Sequence, residues 1–286
     1  MKSQREKALK FRGMHLSGDM LVLANAWDVP SARIFEQAGF PAIGTTSAGI
    51  ALSLGYPDGQ KISRDEMMQV VARIARSVSI PVTADVEAGY GESVADVAKT
   101  AMRVISAGAV GLNLEDSTKR PENPLYDVET QIQKIRMIGK VASSLEVPLV
   151  VNARTDVLVL GKGDSSNRLK DAIARGKEYR KAGADCFFPV GAIDPQTISE
   201  IVKQVSGPVN ILAAKDVPPV AELKRLGVRR VSVGSGPARA TLGLVKRIAQ
   251  ELRENGTYGN LLEGAPTLAE ANRLVERNSE LASYRG

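Results

Sequence analysis

Eight times along this chain a short β-branched or apolar run ends in polar residues or glycine and gives way to a longer stretch with helical spacing. The runs are 21–27 (LVLANAW), 42–47 (AIGTTS), 81–87 (PVTADVE), 111–116 (GLNLED), 149–155 (LVVNART), 186–191 (CFFPVG), 209–214 (VNILAA) and 230–235 (RVSVGS). Such alternation specifies a parallel sheet with helical crossovers, and eight units is the number that closes into a (β/α)8 TIM barrel. The helical stretches agree. Met67, Val70, Val71 and Ile74 fall on one face of their segment, as do Val97, Met102 and Ile105 with Ala98 and Ala101 beside them. One punctuation recurs in EQAGFPAIG, ISAGAVGLN, RKAGADCFF and KRLGVRRVS, each placing a glycine just past a helix and a strand a few residues later. A doubly wound open sheet is the rival architecture; it announces itself with a glycine-rich turn after the first strand, and NAWDVPSA has none.

After the eighth run come a helix at 237–254, a glycine-containing break (NGTYGNLLEGAP) and a last amphipathic stretch at 267–283. The expected organisation is a barrel domain at 1–256, including a short N-terminal extension, followed by a C-terminal helical extension at 257–286. Leu268, Ala271, Leu274, Val275 and Asn278 share one side of the final stretch, an apolar stripe that a neighbouring subunit can cover. The 286 residues are 43% hydrophobic and 24% charged, which excludes disordered and collagen-like chains. No window approaches a membrane span, the N-terminus lacks the apolar core of a signal peptide, and the single cysteine, Cys186, cannot form an internal disulfide. A cytoplasmic protein without a membrane partner is expected. The net charge of +6 invites a nucleic-acid reading, but the excess is spread over helical faces and aromatics are 4%, too few for base-stacking platforms.

In a barrel of this kind catalytic groups stand at the C-terminal ends of the strands, and here those ends are acidic. The third gives Asp85-Val86-Glu87, the fourth Glu115-Asp116, the loop after the second carries Asp58, and the fifth offers Asn152, Arg154 and Asp156. Alternation along a strand makes Asp85 and Glu87 face together, and likewise Asn152 and Arg154. Carboxylates converging on one mouth repel each other unless a cation is present, and an all-oxygen set suits Mg2+ or Mn2+ rather than zinc. Acids that cap helices or pair with surface Lys and Arg are the plain alternative for each residue taken singly.

The succession NAWDVPSARIFEQAGFPAIGTTSAG, GYPDG, ADVEAGYG, NLEDS and VNARTD, spread over 21–256, resembles the phosphoenolpyruvate mutase/isocitrate lyase superfamily. The resemblance implies a barrel enzyme that binds Mg2+ and a 2-oxo acid or its enol. It implies Asp85 as the direct metal ligand and Asp58, Glu87 and Glu115 as holders of metal-bound water. Arg154 would contact the substrate with Asn152 beside it, and the backbone at Thr46 and Ser47 would bind the substrate carboxylate. It also implies a homotetramer built by exchange of terminal helices. Lyases of the family that act on isocitrate or 2-methylisocitrate carry a Lys-Lys/Arg-Cys-Gly-His run after the fourth strand; here the loop reads STKRPENPLYD and has no cysteine. Asn123 aligns with the asparagine of the mutase loop, whereas Lys119 and Arg120 are out of register with its lysine. Val190 replaces the family's histidine or glutamate after the sixth strand, and Gly44 stands where the mutase has tryptophan, which predicts a roomier pocket. The expected activity is therefore carbon–carbon cleavage or decarboxylation through an enolate, with Arg154, Glu115 and Asn123 in catalytic roles. Phosphonate mutase or hydrolase chemistry at a P–C bond is the alternative, and a non-catalytic 2-oxo acid binder is a third reading.

Three further features have plainer explanations. Lys215 could be imagined as a Schiff-base lysine, but it sits in a loop beside Asp216 and reads as a solvated charge. SVGSGPARA resembles a phosphate cup, yet Gly and Pro there also suit a tight turn into a helix. His15, the lone histidine, is far in sequence from every candidate group.

Overall fold

Every one of the eight runs becomes a strand because each offers a few β-branched or apolar residues that fit a sheet buried on both faces. In the computed structural model, which describes residues 3–276, the strands are β1 (Leu21–Ala26), β2 (Ile43–Thr45), β3 (Val82–Asp85), β4 (Gly111–Glu115), β5 (Val150–Thr155), β6 (Cys186–Pro189), β7 (Asn210–Leu212) and β8 (Arg230–Ser232). All pair in parallel in the order β6-β5-β4-β3-β2-β1-β8-β7, and a bridge from Phe187 to Val209 brings β6 against the entry to β7. The result is the expected TIM barrel, nearly closed. Around it run α1 (Gln4–Leu16), α2 (Val29–Gln37), α3 (Ser47–Ser53), α4 (Arg64–Ser77), α5 (Val94–Ser106), α6 (Val128–Ser144), α7 (Val157–Leu160), α8 (Ser165–Lys181), α9 (Pro195–Gln204), α10 (Val220–Arg225), α11 (Gly236–Glu254), α12 (Gly259–Leu262) and α13 (Leu268–Val275).

Local chemistry fixes where these helices start and stop. Ser63 with Glu66 and Ser93 with Asp96 form reciprocal capping boxes at α4 and α5, each worth about 1 kcal/mol. The repeated glycine after a helix adopts a left-handed conformation, with φ of 87° at Gly39 and 91° at Gly108, so the chain reverses into the next strand. On α4 the inward face is as read from the spacing, with Met67, Val71 and Ile74 buried. On α5 the reading needs one correction. Val97, Ala101 and Ile105 are buried together with Thr100 and Val104, but Met102 lies on the outer face, 43% exposed, because it is one residue out of phase with that stripe.

The barrel lumen is filled by polar side chains that meet across it. Asn152 donates to Asn113 Oδ1 (2.8 Å), and Arg230, from the far wall, donates to the same oxygen (3.3 Å). Helix α1 closes the N-terminal end, where Phe11 packs close to Gly111 and the buried His15 lies edge-on to Phe11. His15 Nδ1 is 2.9 Å from the Phe11 carbonyl, which can only accept, so Nδ1 carries the proton and Nε2 faces Arg230 Nη1 at 3.5 Å. The bottom is thereby plugged, and the opposite end, where the acidic strand ends lie, is left for chemistry.

The C-terminal elements depart from expectation. Helix α11 forms where predicted, but only Ala238 along it is buried, while Leu242, Val245 and Leu252 are exposed. The last helix ends at Val275, packs on α2, and leaves Leu268 and Val275 exposed; the rest of the predicted 267–283 stretch, Asn278 included, lies outside the described residues. Among the described residues no helix is long and apolar enough to cross a membrane.

Candidate active site

Strand register assembles the site. Asp85 is opposite Asn113, and Glu115 is opposite Arg154, so the C-terminal ends of β3, β4 and β5 crowd the same mouth. Asp85 Oδ2 accepts from both the amide (3.1 Å) and the hydroxyl (2.8 Å) of Ser47, the first residue of α3. Strand alternation stops at Asp85, so Glu87 reaches the site differently: its φ is 49°, and Tyr90 at 56° and glycines 89 and 91 continue the left-handed run. A side chain on Gly91 would strike Asp96 at 2.4 Å, which accounts for the glycine there in ADVEAGYG. Backbone strain of this kind is held by surrounding contacts; here Tyr90 N donates to Gln60 Oε1 (2.6 Å) and Gln60 N to Glu87 Oε1 (3.0 Å).

Glu87 is 3% exposed, and its other oxygen has no hydrogen-bond partner. Burial above all, then the charges of Glu115, Asp85 and Asp58, push its carboxyl up to about 8. Glu115 is also buried, and desolvation raises it to about 6 although Arg154 Nη1 (2.9 Å) and Lys119 Nζ (2.6 Å) bear on its two oxygens. Arg154 is gripped from the other side by Asp156, with Nε–Oδ1 at 2.9 Å and Nη2–Oδ2 at 3.0 Å. Lys119 Nζ lies also 3.8 Å from Glu87 Oε2, so an ammonium stands between two carboxylates whose mutual repulsion calls for a cation.

The donor set fits a hydrated divalent ion. Among the described residues no three acidic, imidazole or thiol groups stand together as a closed cage. Mg2+ keeps several waters and takes one or two carboxylates directly, which matches a partly exposed Asp85 with the orphaned Glu87 oxygen and Glu115 set behind it.

The family model described as phosphoenolpyruvate phosphomutase matches residues 11–253, nearly the whole barrel and α11. The chain belongs to the phosphoenolpyruvate mutase/isocitrate lyase superfamily. It is 36% identical to an uncharacterized protein of Mycobacterium tuberculosis (strain H37Rv) over 82% of this chain and 85% of that one. It is 31% identical to the oxaloacetate decarboxylase of Pseudomonas entomophila over 81% and 80% of the two chains. A solved structure of 2,3-dimethylmalate lyase superposes with a TM-score of 0.82 at 26% identity, covering 97% of this chain and 94% of that one. Other relatives are named 2-methylisocitrate lyase, which with the decarboxylase accords with the expected enzyme of the carbon–carbon lyase kind, and phosphonopyruvate hydrolase, which accords with the P–C alternative. The superfamily is generally metal-dependent.

The expected superfamily residues fall into two groups. Asp85, Glu87, Glu115, Arg154 and Ser47 come together, and the exposed Asp58 is near enough for its charge to act on Glu87. Three others sit differently. Asn152 is fully buried one layer below Arg154, bonded to Asn113 rather than facing the mouth. Asn123 is exposed on the loop, where its amide donates to the Arg120 carbonyl (3.2 Å). The Thr46 amide donates to the Ala26 carbonyl (3.1 Å), leaving Ser47 as the amide that faces Asp85. The roomier pocket expected at Gly44 is not there: a side chain on Gly44 would meet Asn25 Nδ2 at 2.7 Å and Leu23 at 2.9 Å, so Asn25 fills the space. Asn25 Oδ1 also accepts the amides of Val233 and Gly234 (2.9 Å each), taking up donors that a phosphate cup after β8 would use. Lys215 is exposed, and Cys186 is buried, its thiol pushed up to about 12 chiefly by desolvation.

Asp156, named from the sequence beside Arg154 but given no role there, is the residue that orients that guanidinium. Sequence reasoning missed Lys119, Gln60 and Tyr90 as parts of the site. Lys119 is four residues beyond Glu115, yet only the loop's turn at φ 61° brings it back. Asp116, by contrast, points away from the mouth and anchors Thr155, Arg175 and Tyr179 at 2.6, 3.0 and 2.8 Å, a structural role.

Proposed function

We propose that this protein is a Mg2+-dependent enzyme, with Mn2+ as a substitute, that breaks a carbon–carbon bond next to a 2-oxo acid by lysis or decarboxylation through an enolate. The observation that carries the reading is the arrangement of Asp85, Glu87, Glu115 and Arg154 at the open end of the barrel. Asp85 would hold the cation directly, and Asp58, Glu87 and Glu115 through water. Bound there, Mg2+ supplies Lewis acidity to the keto and carboxylate oxygens of the substrate. Arg154 offers a planar pair of N–H donors to oxygens on which charge develops, and Asp156 fixes the plane of that fork. The Ser47 amide and hydroxyl are suited to the substrate carboxylate once Asp85 turns to the cation. Loop 117–127 would close over the site, exclude water and bring Asn123 inward.

A phosphonate reading draws support from the description of the family model. Val190 and the register of Lys119 and Arg120 weigh against it, since valine offers no group to a phosphoryl oxygen and Lys119 is taken up by Glu115 at 2.6 Å. Oxaloacetate and phosphonopyruvate, each with and without Mg2+, separate the readings. The proposal expects Mg2+-dependent pyruvate formation from oxaloacetate, abolished by chelator and by Asp85→Ala, and no phosphate from phosphonopyruvate. Phosphate release would favour the P–C reading, and Mg2+-dependent binding with no turnover of either would favour the binder.

A further inference from the structure

A cleft of about 470 Å3 opens beside Arg154, between loop 117–125 and α7. Its walls are apolar. Pro121 and Pro124 face it from the loop, Val159 and Leu160 from α7, and Val190 from the end of β6. Val159 and Leu160 are 56% and 40% exposed, large apolar side chains left uncovered at the rim of a polar site. The backbone explains their position. The Val190 amide donates to the Thr155 carbonyl (3.0 Å), which ties the end of β6 to that of β5, and Gly191 leaves room for Val159, which would clash with a side chain there at 2.8 Å.

The charges at this cleft are already matched. Arg154 is held by Glu115 and Asp156, Lys119 by Glu115, and Arg120 by Glu92 at 3.4 Å. A charged or strongly polar group retained beyond the reacting carbons, unlike a carboxylate that leaves as CO2, would find no free partner on the β6 side and would be left desolvated, whereas an alkyl or aryl group would be buried against five apolar residues. From this we infer that the cleft selects 2-oxo acids whose substituent beyond the reacting carbons is apolar, branched or aromatic. This rests on the 2-oxo acid reading proposed above and names the substrate class within it.

Calorimetric titration of the Mg2+-loaded protein with pyruvate, 2-oxobutanoate, 4-methyl-2-oxopentanoate and phenylpyruvate tests it. Affinity is expected to rise along the series by about tenfold or more, the scale on which an apolar pocket reads added carbon. In Val190→Glu, and in Leu160→Ser, a change at an exposed position whose intact fold is checked by melting temperature, the ratio of phenylpyruvate to pyruvate affinity should fall toward one. A flat series in the wild type, with pyruvate still bound, overturns the inference and leaves the 2-oxo acid reading standing. A rise that survives both substitutions also overturns it, by placing the selection elsewhere. If none of the four acids binds with Mg2+, the underlying reading fails.

Discussion

Two residues show how burial and pairing decide what a side chain can do. Arg154 is held by Glu115 and Asp156 in a geometry that uses the guanidinium plane, and lysine cannot reproduce a planar fork. Arg154→Lys should therefore lower kcat/KM on the identified substrate by about 100-fold, the scale of removing one donor to a developing oxyanion. Wild-type kinetics in the variant would reduce Arg154 to a structural ion pair. At the other end of the barrel His15 is neutral, its pKa pushed down to about 3 by burial first and by the nearby Arg230 second. The folded protein thus refuses a proton that the unfolded chain takes up below 6.5, so stability falls as pH drops from 6.5 toward 3. His15→Asn removes that one-proton difference. Between pH 6.5 and about 5, urea unfolding should show the wild type losing roughly 1–2 kcal/mol more than the variant, and parallel losses would place the buried histidine's pKa near its ordinary value.

At the scale of elements, the strands were legible because parallel strands buried on both faces are unbroken apolar runs, and the glycine after each helix marks the return to the sheet. All eight appear, seven of them shorter at the C-terminal end than the run suggested and β5 reaching Thr155 as expected, since the polar residues past most strands belong to the loops that carry chemistry. Periodicity served less well where a residue's direction depends on a loop. Glu87 faces the mouth through a left-handed backbone rather than strand alternation, and Lys119 arrives through a turn no periodicity describes. Asn152 follows the alternation faithfully but lies one layer too deep. Loop 117–127 folds back on itself through a Ser117–Leu125 bridge and the Thr118 amide to the Pro124 carbonyl (2.9 Å); Lys119 and the exposed Arg120–Glu92 pair tie its tip, and Arg175 to the Tyr126 carbonyl (3.0 Å) anchors its end. Metal and 2-oxo acid together should protect this loop from limited proteolysis, at least several-fold in cleavage rate; equal cleavage with and without both ligands would make it an ordinary surface loop.

At the scale of the whole molecule, α11 is the element whose burial is incomplete. A nineteen-residue helix with one buried residue and exposed Leu242, Val245 and Leu252 has an apolar face for a second copy to cover, and it displaces α13, which packs on its own α2, as the main candidate for assembly. The full-length chain is expected to sediment as a tetramer, and Val245→Glu with Leu252→Glu as a smaller species; a wild-type monomer would defeat the proposal. All these levels converge on one claim, that the barrel mouth binds a divalent cation at Asp85 and, through it and Arg154, the enolate of a 2-oxo acid. Oxalate mimics that enolate as a planar, chelating dianion, so its calorimetric titration with and without Mg2+ tests the claim most directly. The account predicts binding at least tenfold tighter with Mg2+, a gain lost in Asp85→Ala, as expected when a chelating ligand and its cation share one site. Oxalate affinity that is the same with and without Mg2+, or a gain that survives Asp85→Ala, would contradict it.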